Sequence, residues 1–332
     1  MSRLILITQG DPGGIGPEAA LRAYLAYRPQ RAVFVGDINV IKYAMRLINA
    51  NLRIHTVENP SDGIFDGTTL NLVNVTVAGQ YEKRMPTKEG GLLSGRCIEK
   101  AVELILSGEG EALVTAPISK EALKLAGIPY PGHTEMLAAL THTENFAMML
   151  VGGSLRVMLV TIHEALSNVP HLITKDRVLK TLILANTAGY MLGIDSPKIA
   201  VSALNPHAGE AGLFGREEIV EIVPAIEEAA RMGIAATGPF PADTLFYKAY
   251  RGQVDIVVAM YHDQGLIPLK MAAFESGVNI TVGLPIIRTS PDHGTAYDIA
   301  YNLKSAVNPQ SMCEAMRLAE TLRPYAPINL YD

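Results

Sequence analysis

The sequence predicts an α/β protein with a largely parallel sheet in each of two domains. Short apolar runs of strand length alternate with longer stretches of helical periodicity along the chain. Hydrophobic residues make up 48% of it and charged residues 18%, a composition that buries a large core. Its 332 residues suit two domains of ordinary size, at roughly 150 residues each.

The elements follow in order. RLILIT (3–8) is an apolar run stopped by Gly10, Asp11 and Pro12, so it reads as a first strand that turns through GDPGGIGP into a helix. AVFVGD (32–37), EALVTAP (111–117), RVMLVTIH (156–163), KIAVSALNPH (198–207), VDIVVAMYH (254–262) and GVNITVGLP (277–285) are further strands closed by turn-forming residues. GRCIEKAVELILSG (95–108), KDRVLKTLILANTAGYMLG (175–193) and REEIVEIVPAIEEAARMG (216–233) have helical periodicity. Gly193 and Gly233 stand where helices end, Asn308 and Pro309 can start the last helix, and Arg323 with Pro324 can stop it. Pro224 interrupts the third helical stretch and implies a kink or two shorter helices. There is no internal repeat and no low-complexity linker. Pro- and Gly-rich stretches near 127–133 and 276–294 are the expected crossings, giving a first domain of 1–126 plus 277–332 and a second of 127–276.

Composition excludes several functions. Net charge is −5 and the pI about 5.9, with Lys and Arg scattered and no basic block, so no nucleic acid is expected as a partner. Anionic metabolites would have to be held by individual basic residues in loops. Cys97 and Cys313 each sit in a helical pattern far from the other, as ordinary core residues of a cytoplasmic protein rather than a disulfide or thiolate site. The opening MSRLILITQGDPGG has too short an apolar run for a secretory signal. FAMMLVGGSLRVMLVTI (146–162) is interrupted by Gly152, Gly153, Ser154 and Arg156, so two strands around a turn explain it better than a membrane helix.

Three of the eight histidines, His163, His207 and His262, follow β-rich runs within a few residues. Ligands of open α/β sheets bind outside the carboxyl ends of the strands, so these imidazoles can converge there. Three histidines with one open position describe a catalytic zinc site. The alternative for each is a loop cap or hydrogen bond, and the separations carry no local ligand-spacing signal. Asp263 and Glu164 follow two of them as candidate supporting carboxylates, or as solvated loop residues.

Other loop motifs offer anion donors. PGHTEML puts His133 and Thr134 ahead of an apolar helix pattern, with a simple Thr134 cap as the alternative. IIRTSPDHGTA supplies Arg288, Thr289, Ser290 and His293 after an apolar strand, and an arginine there can hold a carboxylate or phosphate with two bonds. Lys270 adds a positive charge and Asn279 a neutral donor and acceptor; each also reads as an ordinary surface or capping residue. The glycines at 10, 13, 14 and 16, with Pro12 and Pro17 among them, do not match GxGxxG, so this turn is read as a rigid lining and a Rossmann site as the weaker alternative.

GDPGGIGPE, TAPISKEAL, PGHTE, LNPHAGE, GPFPADTLF, AMYHDQGLIPLK and VNITVGLPIIRTSPDHGTAYDIA, in this order along essentially the whole chain, together resemble the 4-hydroxythreonine-4-phosphate dehydrogenases of pyridoxal phosphate biosynthesis. The resemblance implies an isocitrate/isopropylmalate dehydrogenase-like fold of two α/β/α domains with a cleft between them, and a homodimer with a site shared between subunits. It implies a divalent metal, zinc before Mg or Co, on His163 and His207 of one subunit and His262 of the other. Substrate contacts fall on His133, Thr134, Lys270, Asn279 and Arg288. DHGTAYDIAYNLKSAVNP resembles the HGTA and NP nucleotide loop of isocitrate dehydrogenases, which puts His293 and Asn308 beside the adenine of NAD or NADP.

The implied reaction is oxidation of 4-phosphohydroxy-L-threonine at its secondary hydroxyl, then decarboxylation to 3-amino-2-oxopropyl phosphate. Asp243 in PADTLF is the expected proton acceptor, with a capping role as its alternative, and Lys270 is expected to act on the same substrate. A paralogous group acting on 4-phospho-D-threonate or 4-phospho-D-erythronate shares nearly the same motifs, and TIHEALSNVPHL and YPGHTEML differ from the vitamin-pathway pattern. A phosphate acyltransferase of similar fold and a non-catalytic metabolite binder are the more distant alternatives.

Overall fold

The protein is described by a computed structural model that covers residues 2–302 and 307–325. Along the chain the elements are β1 (Ile5–Thr8), α1 (Gly16–Tyr27), β2 (Ala32–Gly36), α2 (Ile38–Leu47), β3 (Arg53–Thr56), β4 (Thr69–Asn74), α3 (Lys88–Leu106), β5 (Ala112–Thr115), α4 (Lys120–Leu125) and α5 (His133–Leu140). Then come β6 (Ala147–Gly152), β7 (Leu155–Leu159), α6 (Val169–Leu172), α7 (Lys175–Met191), β8 (Ile199–Ser202), α8 (Val223–Arg231), β9 (Ala236–Phe240), α9 (Ala242–Tyr250), β10 (Ile256–Ala259), α10 (His262–Ala273) and β11 (Val278–Val282). The last are β12 (Ile287–Pro291) and α11 (Gln310–Thr321).

They form two compact units, Met1–Glu144 with Leu284–Thr321, and Asn145–Gly283 with Leu322–Asp332. The first crossing falls at 144/145, beyond the 127–133 stretch the sequence suggested. The reason is packing: a Cβ on Gly95 of α3 would stand 2.4 Å from Ile128 Cδ1 and 3.9 Å from Met136 Cε, so α5 and the loop before it lie against α3. The segment from Leu322 joins the second unit because Arg323 N donates to Met191 O at 2.7 Å and its guanidinium pairs with Asp195. Residues 303–306 of the nucleotide-loop motif lie outside the described residues.

In the first unit the strand order is β3-β4-β2-β1-β5-β12, and every pairing is parallel. Ile5, Leu6, Ile7, Val33, Phe34, Val35, Leu113 and Val114 have no exposed surface, the continuous burial expected of strands covered on both faces. Each such side chain contributes about 1.5–3 kcal/mol. Helix starts are capped by short polar residues: Asp37 accepts from Asn39 N and Val40 N, Thr87 from Gly90 N and Ser119 from Ala122 N. Gly91 lets α3 meet α4, since a Cβ there would sit 2.0 Å from Ala122 O.

In the second unit the order is β11-β6-β7-β10-β8-β9. β7, β10, β8 and β9 run parallel, while β6 is antiparallel to both neighbours. β6 and β7 are the two strands expected within 146–162, joined through Gly153 at φ 56°. Among the described residues no helix is long and apolar enough to cross a membrane.

Other local readings meet the structure as follows. Pro224 falls in the first turn of α8, preceded by a π-helical turn at Glu218–Ile222, so the long stretch is two pieces. Gly193 and Gly233 take φ 86° and 80° just past α7 and α8. Asn308 Oδ1 accepts from Gln310 N at 2.9 Å, capping α11. Both cysteines are buried and unpaired, and burial pushes the Cys97 thiol far up.

Candidate active site

The first unit contains a buried cation. Arg288 lies within β12, not in the loop after it, and is 1% exposed. Strand β5 lies beside β12, and its last residue, Thr115, offers one hydroxyl oxygen to Arg288 Nη2 at 2.8 Å and to Nε at 3.2 Å. Burial pushes the guanidinium down to about 9, and the Glu135 carboxylate partly restores it. A dehydrated guanidinium of this kind gains by meeting an anion.

His133 opens α5 after Gly132, and Thr134 follows it, 8% exposed. Thr134 caps nothing, since the N-cap position is Gly132. Burial, and then the charge of Arg288, hold the His133 imidazole well below the usual histidine range, while a hydrogen bond to the Ala116 backbone pulls the other way. Its Nε2 is buried without a hydrogen-bond partner. A neutral imidazole with a partnerless nitrogen beside a buried guanidinium suits an oxyanion that carries a proton or is flanked by a hydroxyl.

The second unit brings two of the three strand-end histidines together. β7 and β10 are parallel neighbours with Leu159 opposite Ala259, so the segments leaving them emerge side by side. Thr161 holds them there, its N and Oγ1 both donating to Met260 O, at 3.1 and 2.7 Å. Gln264 adds a second brace, accepting from Met260 N and donating to Ala203 O, both at 2.7 Å. The His163 and His262 ring centroids are consequently 5.8 Å apart, in a cavity of about 500 Å³ shared with Glu164, Tyr261 and Asp263. His262 Nδ1 lies 2.7 Å from Asp263 Oδ1, which leaves Nε2 to face a ligand.

His207 is not with them. It is exposed, its ring centroid is 6.4 Å from that of Phe214, and it begins a left-handed run, His207, Ala208, Gly209, Glu210 and Ala211, with φ between 43° and 77°. The resemblance grouped His163 with His207; within this chain it is His163 and His262 that meet. Among the described residues no three His, Cys, Asp or Glu side chains form a group able to hold a metal.

The remaining sequence candidates stand separately. Asp243 is exposed in the first turn of α9, where no side chain caps the helix, and Lys270 is in the last turn of α10. Asn279 is on β11 with its Oδ1 buried and lacking a hydrogen bond. His293, in the loop after β12, has Nδ1 3.2 Å from Gly294 O, and its Nε2 is buried without a partner. Asn308 spends its side-chain oxygen on the α11 cap. Sequence reasoning missed Thr115, Glu135 and Gln264; all three sit in the motifs TAPISKEAL, PGHTE and AMYHDQGLIPLK, but nothing in their residue type singled them out.

Comparison with known proteins gives consistent results. Residues 28–319 match the family model described as pyridoxal phosphate biosynthetic protein PdxA. A 4-hydroxythreonine-4-phosphate dehydrogenase of Desulfosudis oleivorans is 49% identical over 303 residues, covering 90% of each chain. A D-threonate 4-phosphate dehydrogenase of Pectobacterium atrosepticum is 42% identical over 97% of this chain and 100% of its own. The crystal structure of the 4-hydroxythreonine-4-phosphate dehydrogenase from Klebsiella pneumoniae superposes with a TM-score of 0.87 at 40% identity, over 96% of this chain and 98% of that one.

Proposed function

This chain belongs to the PdxA family and is a dehydrogenase, and from that premise we propose that it oxidises 4-phosphohydroxy-L-threonine at the secondary hydroxyl, with NAD or NADP accepting the hydride. Loss of carbon dioxide from the resulting β-keto acid then gives 3-amino-2-oxopropyl phosphate. D-threonate 4-phosphate is the second reading, favoured by the name of the Pectobacterium relative; the higher identity to the Desulfosudis protein places it second.

The observation that carries the reading is the buried Arg288 guanidinium with the partnerless His133 Nε2 beside it. Arg288, His133 and Thr134 take an anionic group of the substrate, and Lys270 and Asn279 contribute a charge and an amide to the same substrate. Held in one orientation, the reacting carbon is presented to the hydride acceptor with little further loss of freedom, an effect worth several kcal/mol. Asp243 takes the hydroxyl proton. His293 and Asn308 belong to the dinucleotide site.

A divalent metal, zinc by its preference for imidazole, fits the donor set of His163 and His262, with Asp263 fixing the tautomer. Bound there, it supplies Lewis-acid polarisation of a substrate oxygen. The resemblance adds His207 as the third imidazole, in a set shared between two subunits. That assignment agrees with an exposed apolar stripe on α10 and the residue that caps it, Ile267, Met271 and Phe274 at 58%, 85% and 79% exposure, together with Leu213 at 73%, which a homodimer would cover. Two buried free cysteines suit a cytoplasmic enzyme.

The test is turnover of 4-phosphohydroxy-L-threonine and of 4-phospho-D-threonate with NAD and NADP, before and after chelation. NADH or NADPH should form with the amino substrate and stop on chelation. Absence of both from folded, zinc-loaded protein defeats the reading.

A further inference from the structure

Loop 292–301, which carries His293, closes its end with Ile299 N and Ala300 N donating to Ala296 O at 3.2 and 3.1 Å, and Ala296 and Tyr301 take φ 40° and 57° there. Residues other than glycine rarely adopt this region, so the loop's shape is held in part from outside. The imposing groups come from two places, the glycine-rich turn after β1 and the segment before α3.

Ile15 N donates to Thr295 O at 2.9 Å, Tyr297 Oη donates to Asp11 Oδ2 at 2.7 Å, and Tyr301 Oη donates to Pro12 O. Arg84 donates from Nη2 to Asp298 O at 2.6 Å and from Nε to Tyr297 O at 3.3 Å. Its own backbone N donates to Gly13 O at 2.8 Å, closing the ring of contacts. Asp11 is 1% exposed and also accepts from Gly13 N at 2.7 Å.

The glycine spacing that fails as a dinucleotide fingerprint has its explanation here. A Cβ on Gly13 would stand 2.7 Å from Met85 O, and one on Gly14 would stand 2.7 Å from Thr295 O. These glycines let three backbones close on one another. Within the clasped loop His293 Nε2 is buried with nothing bonded to it, which marks the loop as one that meets a ligand.

We propose that Arg84 and Asp11 are positioning residues for dinucleotide binding, clasping loop 292–301 in the conformation the cofactor meets. The inference rests on the reading of His293 as part of the dinucleotide site. Neither residue need touch the cofactor: Arg84 acts through the carbonyls of Tyr297 and Asp298, and Asp11 through the phenol of Tyr297.

The experiment titrates NADH and NADPH into wild type, Arg84→Met, Arg84→Lys and Tyr297→Phe by fluorescence, alongside steady-state kinetics. Arg84→Met and Tyr297→Phe should raise the dinucleotide Kd and KM about ten-fold, the loss of one or two charge-assisted or buried bonds. The kcat at saturation and the KM of the phosphorylated substrate should stay within about two-fold, Arg84→Lys should recover part of the loss, and amide exchange at 293–301 should quicken. Folded variants that bind NADH as tightly as wild type would overturn the clasp. So would a parallel fall in every kinetic parameter with a lower Tm, which is the signature of a purely structural role. Wild-type protein that binds neither dinucleotide defeats the functional reading first, and the clasp with it.

Discussion

Thr115 Oγ1 lies 2.8 Å from Arg288 Nη2 and 3.2 Å from Nε, so one threonine hydroxyl orients a guanidinium that is otherwise sealed inside a parallel sheet. Both are strand residues on adjacent strands, which makes the arrangement rigid. Thr115→Val keeps the strand shape and removes the acceptor. It should raise the substrate KM about ten-fold or more, and lower the unfolding free energy by about 2 kcal/mol, because a buried charge loses hydrogen bonds. Initial-rate kinetics and urea melts read the two effects; an unchanged KM would dissociate Arg288 from the substrate.

Acid should destabilise the protein through its buried histidines. Burial first, and then Arg288, depress His133, and burial depresses His293 despite the opposing Gly294 carbonyl and Asp292 charge. Between the depressed value and the ordinary one near about 6.5, the unfolded chain binds more protons than the folded chain. The stabilisation is therefore complete above about pH 6.5 and is lost as pH falls below it. Urea midpoints taken from about pH 8 down to about pH 5 should drop, and His133→Gln should flatten the slope over that range.

Much of this was legible because the strands are buried on both faces. RLILIT, AVFVGD and EALVTAP are unbroken apolar runs, and they became β1, β2 and β5 with almost no exposed surface. The convergence of His163 with His262 followed from strand ends, and it holds because β7 and β10 are neighbours. His207 follows the end of β8, another neighbour of β10, yet it stands exposed at the start of a left-handed run, and residue type does not announce such a run. Helix α10 was hidden by Gly265 and Pro268, both poor helix formers, the latter inside the helix. Arg288 read as a loop residue because a charge in the middle of a buried strand violates the ordinary pattern, and that violation is itself the mark of the site. Thr115 gave no signal, since threonine in a strand is what β propensity alone expects.

Asp263 should govern metal affinity through His262. Its Oδ1 lies 2.7 Å from His262 Nδ1, and a proton held between them would present Nε2 for coordination. Asp263 is 70% exposed on its side chain, so the effect belongs at the lower end of the usual range. Asp263→Asn should weaken zinc binding about ten-fold in a chelator competition, with little change in Tm of the metal-free protein. His262→Ala should abolish stoichiometric zinc. Full zinc content in that variant would move the metal away from the His163 and His262 pair.

Glu218 and the left-handed run should respond to substitution with opposite signs. Glu218 is 2% exposed, and its Oε1 accepts from Leu204 N and Asn205 N at 2.9 and 2.7 Å while Oε2 accepts from Asn205 Nδ2 at 3.0 Å. These bonds hold the segment that leads from β8 into residues 207–211, where every non-glycine residue is strained by roughly 1–2 kcal/mol. Glu218→Gln puts an amide where donors converge, and should cost about 2–3 kcal/mol. Ala211→Gly, at an exposed position with φ 55°, relieves strain without losing packing, and should stabilise by up to about 1 kcal/mol after the greater freedom of glycine in the unfolded chain is subtracted. Denaturant melts of the two single variants check both signs, and a destabilised Ala211→Gly would mean that the run carries no strain for glycine to release.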